Sequence, residues 1–480
     1  MAKPPIRKAA PPETGLTYAS ISELAPRIRD GSLSPVTLAE AAISRTKRLN
    51  PKLNACLALY EDAALLAAQQ AEREVKAGRY RGPLHGIPIG LKDLFNVAGR
   101  VTTGGTKILM DNVAKQDATV TRRLRDSGAV ITGKLAMVEF AMGATGLNPH
   151  HGDTPNPWDL KRVACGSSSG SASAVAAGLV VGALGSDTGG SIRMPAAVCG
   201  IVGLKPTYGR ISRHGVLDLS WSCDHVGPMT RTVADSAHMM NALAGHDPLD
   251  PASSREPVPD FTAGLGRGLD GLILGVPQHY FFDDVDPEVE SAVRKAVALM
   301  EHNGAKVVSV PMPWASVGRA INMRVVMPEA VAVHEEWIGS RPQDYSPEVR
   351  ARLLADLSTP AVDYVRAQRA RRWFCEQMAQ AMQGVDVLVT PSVPVQTPTI
   401  KACTPLPGEN EGSDGGRLAI FTGVFNTTGQ PSMSIPCGFT KDGMPIGMML
   451  TGRPFDEVNV LRAGAAYEAL TDWHMKRPPV

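Results

Sequence analysis

The sequence predicts an α/β protein, in which helices pack on a largely buried β-sheet. Two segments support this, because in each an amphipathic helix is followed by a glycine and then by a β-branched strand. They are ATVTRRLRDSGAVITGKL, residues 118–135, and DPEVESAVRKAVALMEHNGAKVVSVPMP, residues 286–313. A third observation is the short apolar run GIPIGLKDLF, residues 86–95, which is bounded by glycine and typical of a buried strand.

The amino-terminal part is predicted to be helical. Ser20 and Glu23 have the spacing of a capping box before a first helix. Ser34 followed by Pro35 is an N-cap and a first-turn proline, which predicts a second helix running to about Leu49. A third helix is predicted over 61–77, where apolar residues recur at helical spacing.

The composition is that of a globular protein with a small, uncharged ligand. The 49 Lys+Arg and 47 Asp+Glu residues give a net charge of +2, which argues against nucleic acid as a direct partner. The longest apolar run, 174–185, is about half the length that spans a bilayer, so we expect no membrane anchor. Seven scattered cysteines without a CxxC pair predict reduced thiols, and hence a cytoplasmic protein without a secretory signal.

Three short patterns imitate known catalytic motifs. GAVITGKL, residues 128–135, has the P-loop spacing but carries leucine where magnesium needs a hydroxyl. GSSSG places Ser168 in a GxSxG pattern, but no acid and histidine follow it in recognisable context. Ser44 and Lys47 have the SxxK spacing, on a helix face where a lysine is usually solvated. We expect none of these patterns to be catalytic, and Ser168 stays open as an alternative nucleophile.

No metal site is predicted. The adjacent His150 and His151, with Asp153, point in different directions, and His334 lacks a second histidine at helical spacing. We expect these to be surface histidines in loops.

A better nucleophile lies in GSDTGGSIRMPAAVCG, residues 185–200. Its consecutive glycines leave the amides around Ser191 sterically uncovered, as a site for a developing oxyanion requires. A serine cluster, CGSSSGSASAVAAG, residues 165–178, precedes it at the start of an apolar helix. Since no histidine motif supplies a base, Lys92 is the candidate: it is a lone cation at the end of an apolar strand, where burial favours the neutral amine.

With these residues in place, the sequence resembles the amidase signature enzymes over nearly all of the chain after residue 17. The segment 185–207 resembles the central segment of that family, and 165–180 its serine-rich motif. LHGIPIGLKD resembles the lysine segment, and CDHVGPMTRTVAD a later block. NTTGQPSMSIPCGF and PIGMMLTGRPFDE resemble the carboxyl-terminal part. Cys165 departs from the pattern, because glycine is usual there.

The resemblance implies a role for each matching residue. Ser191 is similar to the nucleophile, Ser167 to a bridging serine held in a cis peptide, and Lys92 to the base. The amides of Thr188, Gly189, Gly190 and Ser191 are similar to an oxyanion hole. Asp187, Arg193 and Ser168 are similar to the residues that support it. No cofactor and no metal are implied.

The resemblance also implies the fold and the activity. We expect a single α/β/α sandwich domain over 17–480, around a large mixed β-sheet, after a flexible arm over 1–16. The domain comprises a helical segment 17–80, a catalytic core of about 81–235 and a carboxyl-terminal part to 480. Polar stretches at 247–268 and 404–416 are predicted linkers or surface loops. Met137, Phe140, Met142 and Trp221 are predicted to be in the core or to line a pocket.

The implied activity is hydrolysis of carboxylic amides, and by the same chemistry of esters, anilides or carbamates. One alternative is the glutamine-hydrolysing component of a tRNA-dependent amidotransferase, which passes ammonia to a partner. The segment 321–354 does not resemble that component. The second alternative is a catalytically silent binding protein, and the presence of Lys92, Ser167 and Ser191 together argues against it. Homodimers are common in the family, and the sequence shows no interface.

Overall fold

A mixed β-sheet runs through the protein, which we describe from a computed structural model that covers residues 13–404 and 415–480. The helices in these residues are α1 (Glu13–Thr17), α2 (Ile21–Arg29), α3 (Pro35–Leu53), α4 (Glu61–Lys76), α5 (Thr119–Asp126), α6 (Ser169–Ala176), α7 (Arg193–Cys199), α8 (Val233–Leu243), α9 (Pro287–His302), α10 (Val317–Ser340), α11 (Pro347–Asp356), α12 (Ala361–Ala381), α13 (Ile400–Cys403), α14 (Gly423–Thr427) and α15 (Glu457–Ala469). The strands are β1 (Cys56–Leu59), β2 (Pro88–Lys92), β3 (Val130–Leu135), β4 (Pro155–Asn156), β5 (Asp159–Val163), β6 (Gly182–Asp187), β7 (Val202–Lys205), β8 (His225–Thr230), β9 (Ile273–Pro277), β10 (Lys306–Val310), β11 (Val387–Pro391), β12 (Ser432–Phe439) and β13 (Pro445–Gly452).

The main sheet has 11 strands among the described residues, in the order β1-β3-β2-β6-β8-β7-β12-β13-β11-β9-β10. Strands β3, β2 and β6 are parallel neighbours, as are β11, β9 and β10. Antiparallel pairings through β8, β7, β12 and β13 join the two groups, and β1 pairs antiparallel with β3 at one edge. Strands β4 and β5 form a separate small sheet. The predicted α/β fold around a large mixed sheet is confirmed.

Apolar clusters cover both faces of the sheet. Successive residues of a strand point to opposite faces, and in β6 Ala183 belongs to one cluster whereas Leu184 belongs to another. Helices α2, α8 and α15 contribute buried side chains to the cluster that contains Leu184. Helices α6 and α7 contribute to the cluster that contains Ala183. The sheet is therefore the middle layer between two helical layers.

The predicted helix starts are confirmed at the amino-terminal end. The Ser20 side chain accepts a hydrogen bond from the amide of Glu23 at 3.1 Å, and the Ser20 amide donates to Glu23 Oε2 at 2.7 Å, which completes the capping box. Helix α3 begins after Ser34 as predicted but continues past Leu49 to Leu53. The reason is that Leu49 and Leu53, which are one turn apart, are both buried in the same cluster.

The segments that we predicted as an arm and as linkers are only partly described. Residues 1–12 of the predicted arm and 405–414 of the second polar stretch lie outside the described residues, and 13–16 belong to α1. The first polar stretch, 247–268, contains neither helix nor strand. It is anchored by Asp247, whose carboxylate accepts hydrogen bonds from Thr119 and Ser212, each at 2.6 Å.

Two features of the described residues bear on the composition. The cysteines form no disulfide. No helix within 13–404 or 415–480 is both long enough and apolar enough to cross a bilayer.

Candidate active site

The candidate site is built where two parallel strands end. Strands β2 and β6 are neighbours, with Leu91 opposite Leu184, and their carboxyl ends carry Lys92 and Asp187. Since parallel strands end at the same edge of a sheet, these two charged side chains lie close to the turn that follows β6. This turn contains Ser191.

Lys92 is fully buried and binds two serine hydroxyls. Its Nζ donates to Ser167 Oγ at 2.7 Å and to Ser186 Oγ at 2.8 Å. Burial lowers the pKa of Lys92 to about 7, against the opposing charges of Asp187 and Asp224. Near neutral pH the amine is therefore half deprotonated, and its lone pair can accept a proton.

The serine cluster before α6 connects Lys92 to the loop of Ser191. The peptide bond between Gly166 and Ser167 is cis, as the resemblance implied. The amide of Ser168 donates to the Ser191 carbonyl oxygen at 3.3 Å. No hydrogen bond joins the hydroxyls of Ser167 and Ser191 in the described residues, so the loop is held by its backbone.

Ser168 has a structural role. Its side chain is buried, donates to the Ser186 carbonyl oxygen at 3.2 Å and accepts from the Ser186 amide at 3.3 Å. Both partners belong to β6, so Ser168 fixes α6 against the sheet. A hydroxyl committed in this way is a poor nucleophile, and the GxSxG alternative loses its support.

Asp187 and Arg193 hold the turn between β6 and α7. The Asp187 carboxylate accepts from the amides of Gly190 at 2.7 Å and Ile192 at 3.1 Å, and from two Arg193 nitrogens at 3.0 and 2.9 Å. Asn426 Nδ2 also donates to it, at 2.8 Å. Both charged groups are fully buried. Burial favours the neutral acid, but the charge of Arg193 outweighs it and holds the pKa of Asp187 well below its usual range.

Of the four predicted oxyanion amides, one is occupied. The N–H of Gly190 donates to the Asp187 carboxylate, and this bond corrects the predicted set of four. The N–H groups of Thr188, Gly189 and Ser191 have no acceptor within the described part of the chain. Ser191, Thr188 and Gly189 also line a cavity, so these three amides remain available to a ligand oxygen.

Gly190 is a position where only glycine fits. Its φ is +132°, and a Cβ there would lie 2.1 Å from Thr422 Oγ1. Thr422 in turn donates to the Gly189 carbonyl oxygen at 2.6 Å. The close approach therefore fixes the course of the backbone just before Ser191.

Gly190→Ala is expected to lower kcat/KM at least tenfold. The new methyl group displaces Thr422 and shifts the amides beside Ser191, and about 1.4 kcal/mol of lost transition-state stabilisation is a tenfold change in rate. Steady-state kinetics on a chromogenic amide measures the effect. Gly266→Ala is the control, because a Cβ there meets nothing within 4 Å and its φ is ordinary. Equal activity in the two variants would contradict a precisely placed turn.

Several residues of the site were not predicted from the sequence. They are Ser186, Asp224, Asn322, Thr422 and Asn426. Asp224 Oδ1 accepts from Thr188 Oγ1 at 2.5 Å, and Asn322 Nδ2 donates to the Thr188 carbonyl oxygen at 3.2 Å. Asp224 and Asn426 lie within segments that we matched to the family, whereas no local pattern marks Asn322 on α10.

The cavity beside Ser191 has a volume of about 360 Å³. Of the four residues predicted in the core or a pocket, Met142 lines it. Met137 and Phe140 are buried in the core, and Trp221 is 43% exposed.

The remaining imitations of catalytic motifs have structural roles. The P-loop pattern forms β3, and Lys134 within it is buried and paired with Asp93 at 3.0 Å. Lys47 of the SxxK pattern is exposed and paired with Glu61 at 2.6 Å. Neither lysine lines the cavity.

The histidines include one correction. His334 was predicted on a surface loop, but it lies on α10 and is fully buried, with Nδ1 2.9 Å from the Tyr345 hydroxyl. Packing against Phe140 and Trp337 explains its burial. His150 is partly buried and pairs with Glu139 at 3.0 Å. Within the described residues no cluster of His, Cys, Asp and Glu could hold a metal ion.

Comparison with known proteins agrees with this geometry. A family model described as Amidase matches residues 37–461. The chain is 41% identical to the A-type component of the glutamyl-tRNA(Gln) amidotransferase of Chloroflexus aggregans, over 97% of this chain and 99% of that protein. It is equally, 41%, identical to an amidase of Pseudomonas putida, over 97% and 98%. The X-ray structure of the native peptide amidase from Stenotrophomonas maltophilia superposes with a TM-score of 0.83 at 32% identity, over 97% of this chain and 99% of that chain.

Proposed function

Because this chain belongs to the amidase signature family, whose members are serine hydrolases acting on amide C–N bonds, we propose that Lys92, Ser167 and Ser191 are its catalytic residues. The observation that carries the proposal is the buried Lys92, whose Nζ is 2.7 Å from Ser167 Oγ and whose pKa burial lowers to about 7. A lysine that is neutral near physiological pH can act as a general base, which a solvated lysine cannot do.

The proposed reaction begins with a proton relay. Neutral Lys92 keeps one N–H on Ser186 Oγ and accepts the proton of Ser167 through its lone pair. Ser167 accepts the proton of Ser191, and Ser191 Oγ attacks the carbonyl carbon of the amide. The C–N bond breaks as the proton returns along the relay to the leaving amine, which leaves an acyl group esterified to Ser191. Water then repeats the same steps and releases the carboxylic acid.

The negative charge of the tetrahedral intermediate falls on the carbonyl oxygen. We propose that the N–H groups of Thr188, Gly189 and Ser191 bind this oxygen, and that Asp187, Arg193 and Ser168 hold these groups in place. Removing one such donor typically costs a factor of about 10²–10³ in kcat. Since the chemistry uses only side chains and backbone amides, the proposed reaction needs no cofactor.

The rate is expected to rise with pH and to level off above about pH 7. Only the neutral form of Lys92 accepts a proton, and the pKa of Lys92 is lowered by burial to about 7. Below that value kcat/KM for a neutral amide falls about tenfold per pH unit. The measurement is kcat/KM from pH 5 to 9, with circular dichroism over the same range as the control for unfolding. A flat profile would exclude Lys92 as the base.

A second candidate function is hydrolysis of glutamine within an amidotransferase, with ammonia passed to a partner protein. The 41% identity to the amidotransferase component of Chloroflexus aggregans favours it. A stand-alone amidase works as the purified chain, whereas an amidotransferase component depends on its partner. Activity of the purified chain on simple amides would therefore favour the first candidate. Size-exclusion chromatography with light scattering tests the predicted homodimer in the same preparation.

The proposed nucleophile is tested with a broadly reactive fluorophosphonate and peptide mass spectrometry. The expected result is a single adduct on Ser191. An adduct on Ser168 would overturn the assignment of the nucleophile. No adduct would overturn the stand-alone enzyme, and favour a silent protein or one that needs its partner to assemble the site.

A further inference from the structure

The cavity beside Ser191 has mostly apolar inner walls. Met142, Met194, Leu219, Val326 and Met327 line it, and each of them is less than a tenth exposed. These side chains come from the segment between β3 and β4, from α7, from the loop before β8 and from α10. Four separate parts of the fold therefore place hydrocarbon or thioether groups around the candidate nucleophile.

The polar groups of the cavity are committed to the protein. Asn322 donates to the Thr188 carbonyl oxygen at 3.2 Å, and Arg319 donates to the Gly416 carbonyl oxygen at 3.0 Å. Arg352 is paired with Glu348 at 2.9 Å. Arg319, Arg352 and Asp356 are more exposed than the apolar walls, which places them towards the mouth. A charged group deep in the cavity would therefore lose water without gaining a partner.

The acyl group of the substrate must occupy this cavity. Ser191 is 7% exposed and lines the cavity, so an acyl group esterified to Ser191 Oγ extends into it. About 360 Å³ is more room than an acetyl group fills. Methionines also adapt their shape and contact aromatic rings favourably through sulfur.

We propose that this enzyme selects amides whose acyl group is uncharged, apolar and larger than acetyl, up to an arylacetyl group such as phenylacetyl. The inference rests on the proposed function, since it concerns the acyl group bound to Ser191. It assigns substrate selection to Met142, Met194, Leu219, Val326 and Met327. It also makes glutamine, whose acyl group carries an ammonium and a carboxylate, a poor substrate.

The first test compares acetamide, butanamide, hexanamide, 2-phenylacetamide and glutamine as substrates of the purified full-length chain. Burial of each added methylene is expected to raise kcat/KM about fourfold, so hexanamide exceeds acetamide by roughly 100-fold. 2-Phenylacetamide is expected to be at least as good as hexanamide. Acetamide or glutamine as the best substrate would overturn the inference and leave amide hydrolysis standing.

Hydrolysis of none of these amides would instead contradict the proposed function. The cavity is then tested by binding, with Ser191→Ala and isothermal titration calorimetry. Tighter binding of 2-phenylacetamide than of acetamide upholds the apolar selection. Equal binding of the two amides overturns it.

A variant tests the location of the acyl group. Val326→Phe extends a ring into the cavity from α10 and is expected to lower the kcat/KM ratio of hexanamide to acetamide more than tenfold. Val317→Phe is the matched control, because Val317 lies on the same helix, is 42% exposed and does not line the cavity. An unchanged ratio in Val326→Phe, with a wild-type circular dichroism spectrum, would overturn the assignment.

Discussion

Ser191→Ala is expected to lower kcat for amide hydrolysis by at least about 10⁴-fold, with the fold intact. The variant removes the oxygen that would form the acyl-enzyme, and Lys92 and Ser167 then lack the hydroxyl whose proton they relay. Loss of the nucleophile of a serine hydrolase typically has an effect of this size or larger. The measurement is kcat on 2-phenylacetamide with enough enzyme to detect the residual rate.

Two further variants serve as comparisons for Ser191→Ala. Lys92→Ala and Ser167→Ala are expected to lower kcat by orders of magnitude as well, because residues that act as a unit are not additive. The double variant Lys92→Ala/Ser191→Ala is then about as inactive as Ser191→Ala alone. Near-normal turnover by a folded Ser191→Ala protein would refute the proposed mechanism.

Arg193→Met is expected to destabilise the protein by about 3–5 kcal/mol, which is the usual cost of removing one partner of a buried ion pair. Asp187 is fully buried and would keep its charge without a counterion. The Thr422 carbonyl oxygen and Asn426 Oδ1, which accept from Arg193 at 3.0 and 2.7 Å, would also lose their donor. The measurement is the urea midpoint of unfolding at constant pH, followed by fluorescence and circular dichroism.

The control for Arg193→Met is an arginine in an exposed ion pair. Arg372 pairs with Glu376 at 3.2 Å, and both side chains are largely in solvent. Arg372→Met is expected to change the stability by less than about 1 kcal/mol. If both variants unfolded at the wild-type midpoint, the buried pair would not hold the turn between β6 and α7.

The local part of the site could be predicted because its chemistry lies in contiguous residues. Ser191 follows its glycines directly, and Lys92 ends an apolar strand, so burial and backbone geometry follow from neighbours in the sequence. Asn322 could not be found in this way. It comes from α10 and reaches Thr188 only through the packing of that helix.

Two differences from the predictions have the same kind of cause. The amide of Gly190 was expected in the oxyanion hole, but the turn brings it to Asp187, three residues earlier in the chain. His334 was expected in solvent, but α10 packs it against Phe140. In both cases the deciding partner is set by the path of the backbone rather than by residue type. Hydrophobic periodicity predicted the sheet and the major helices, because it depends on burial alone.

Arg193 joins parts of the chain that are far apart in synthesis. Its partners Thr422 and Asn426 follow it by 229 and 233 residues. A nascent chain that has passed the candidate nucleophile therefore still lacks the acceptors that hold the turn, and such distant contacts form late and slowly. Catalytic competence is then acquired only near the end of folding, so hydrolysis of a sensitive amide can serve as a reporter of the completed native state.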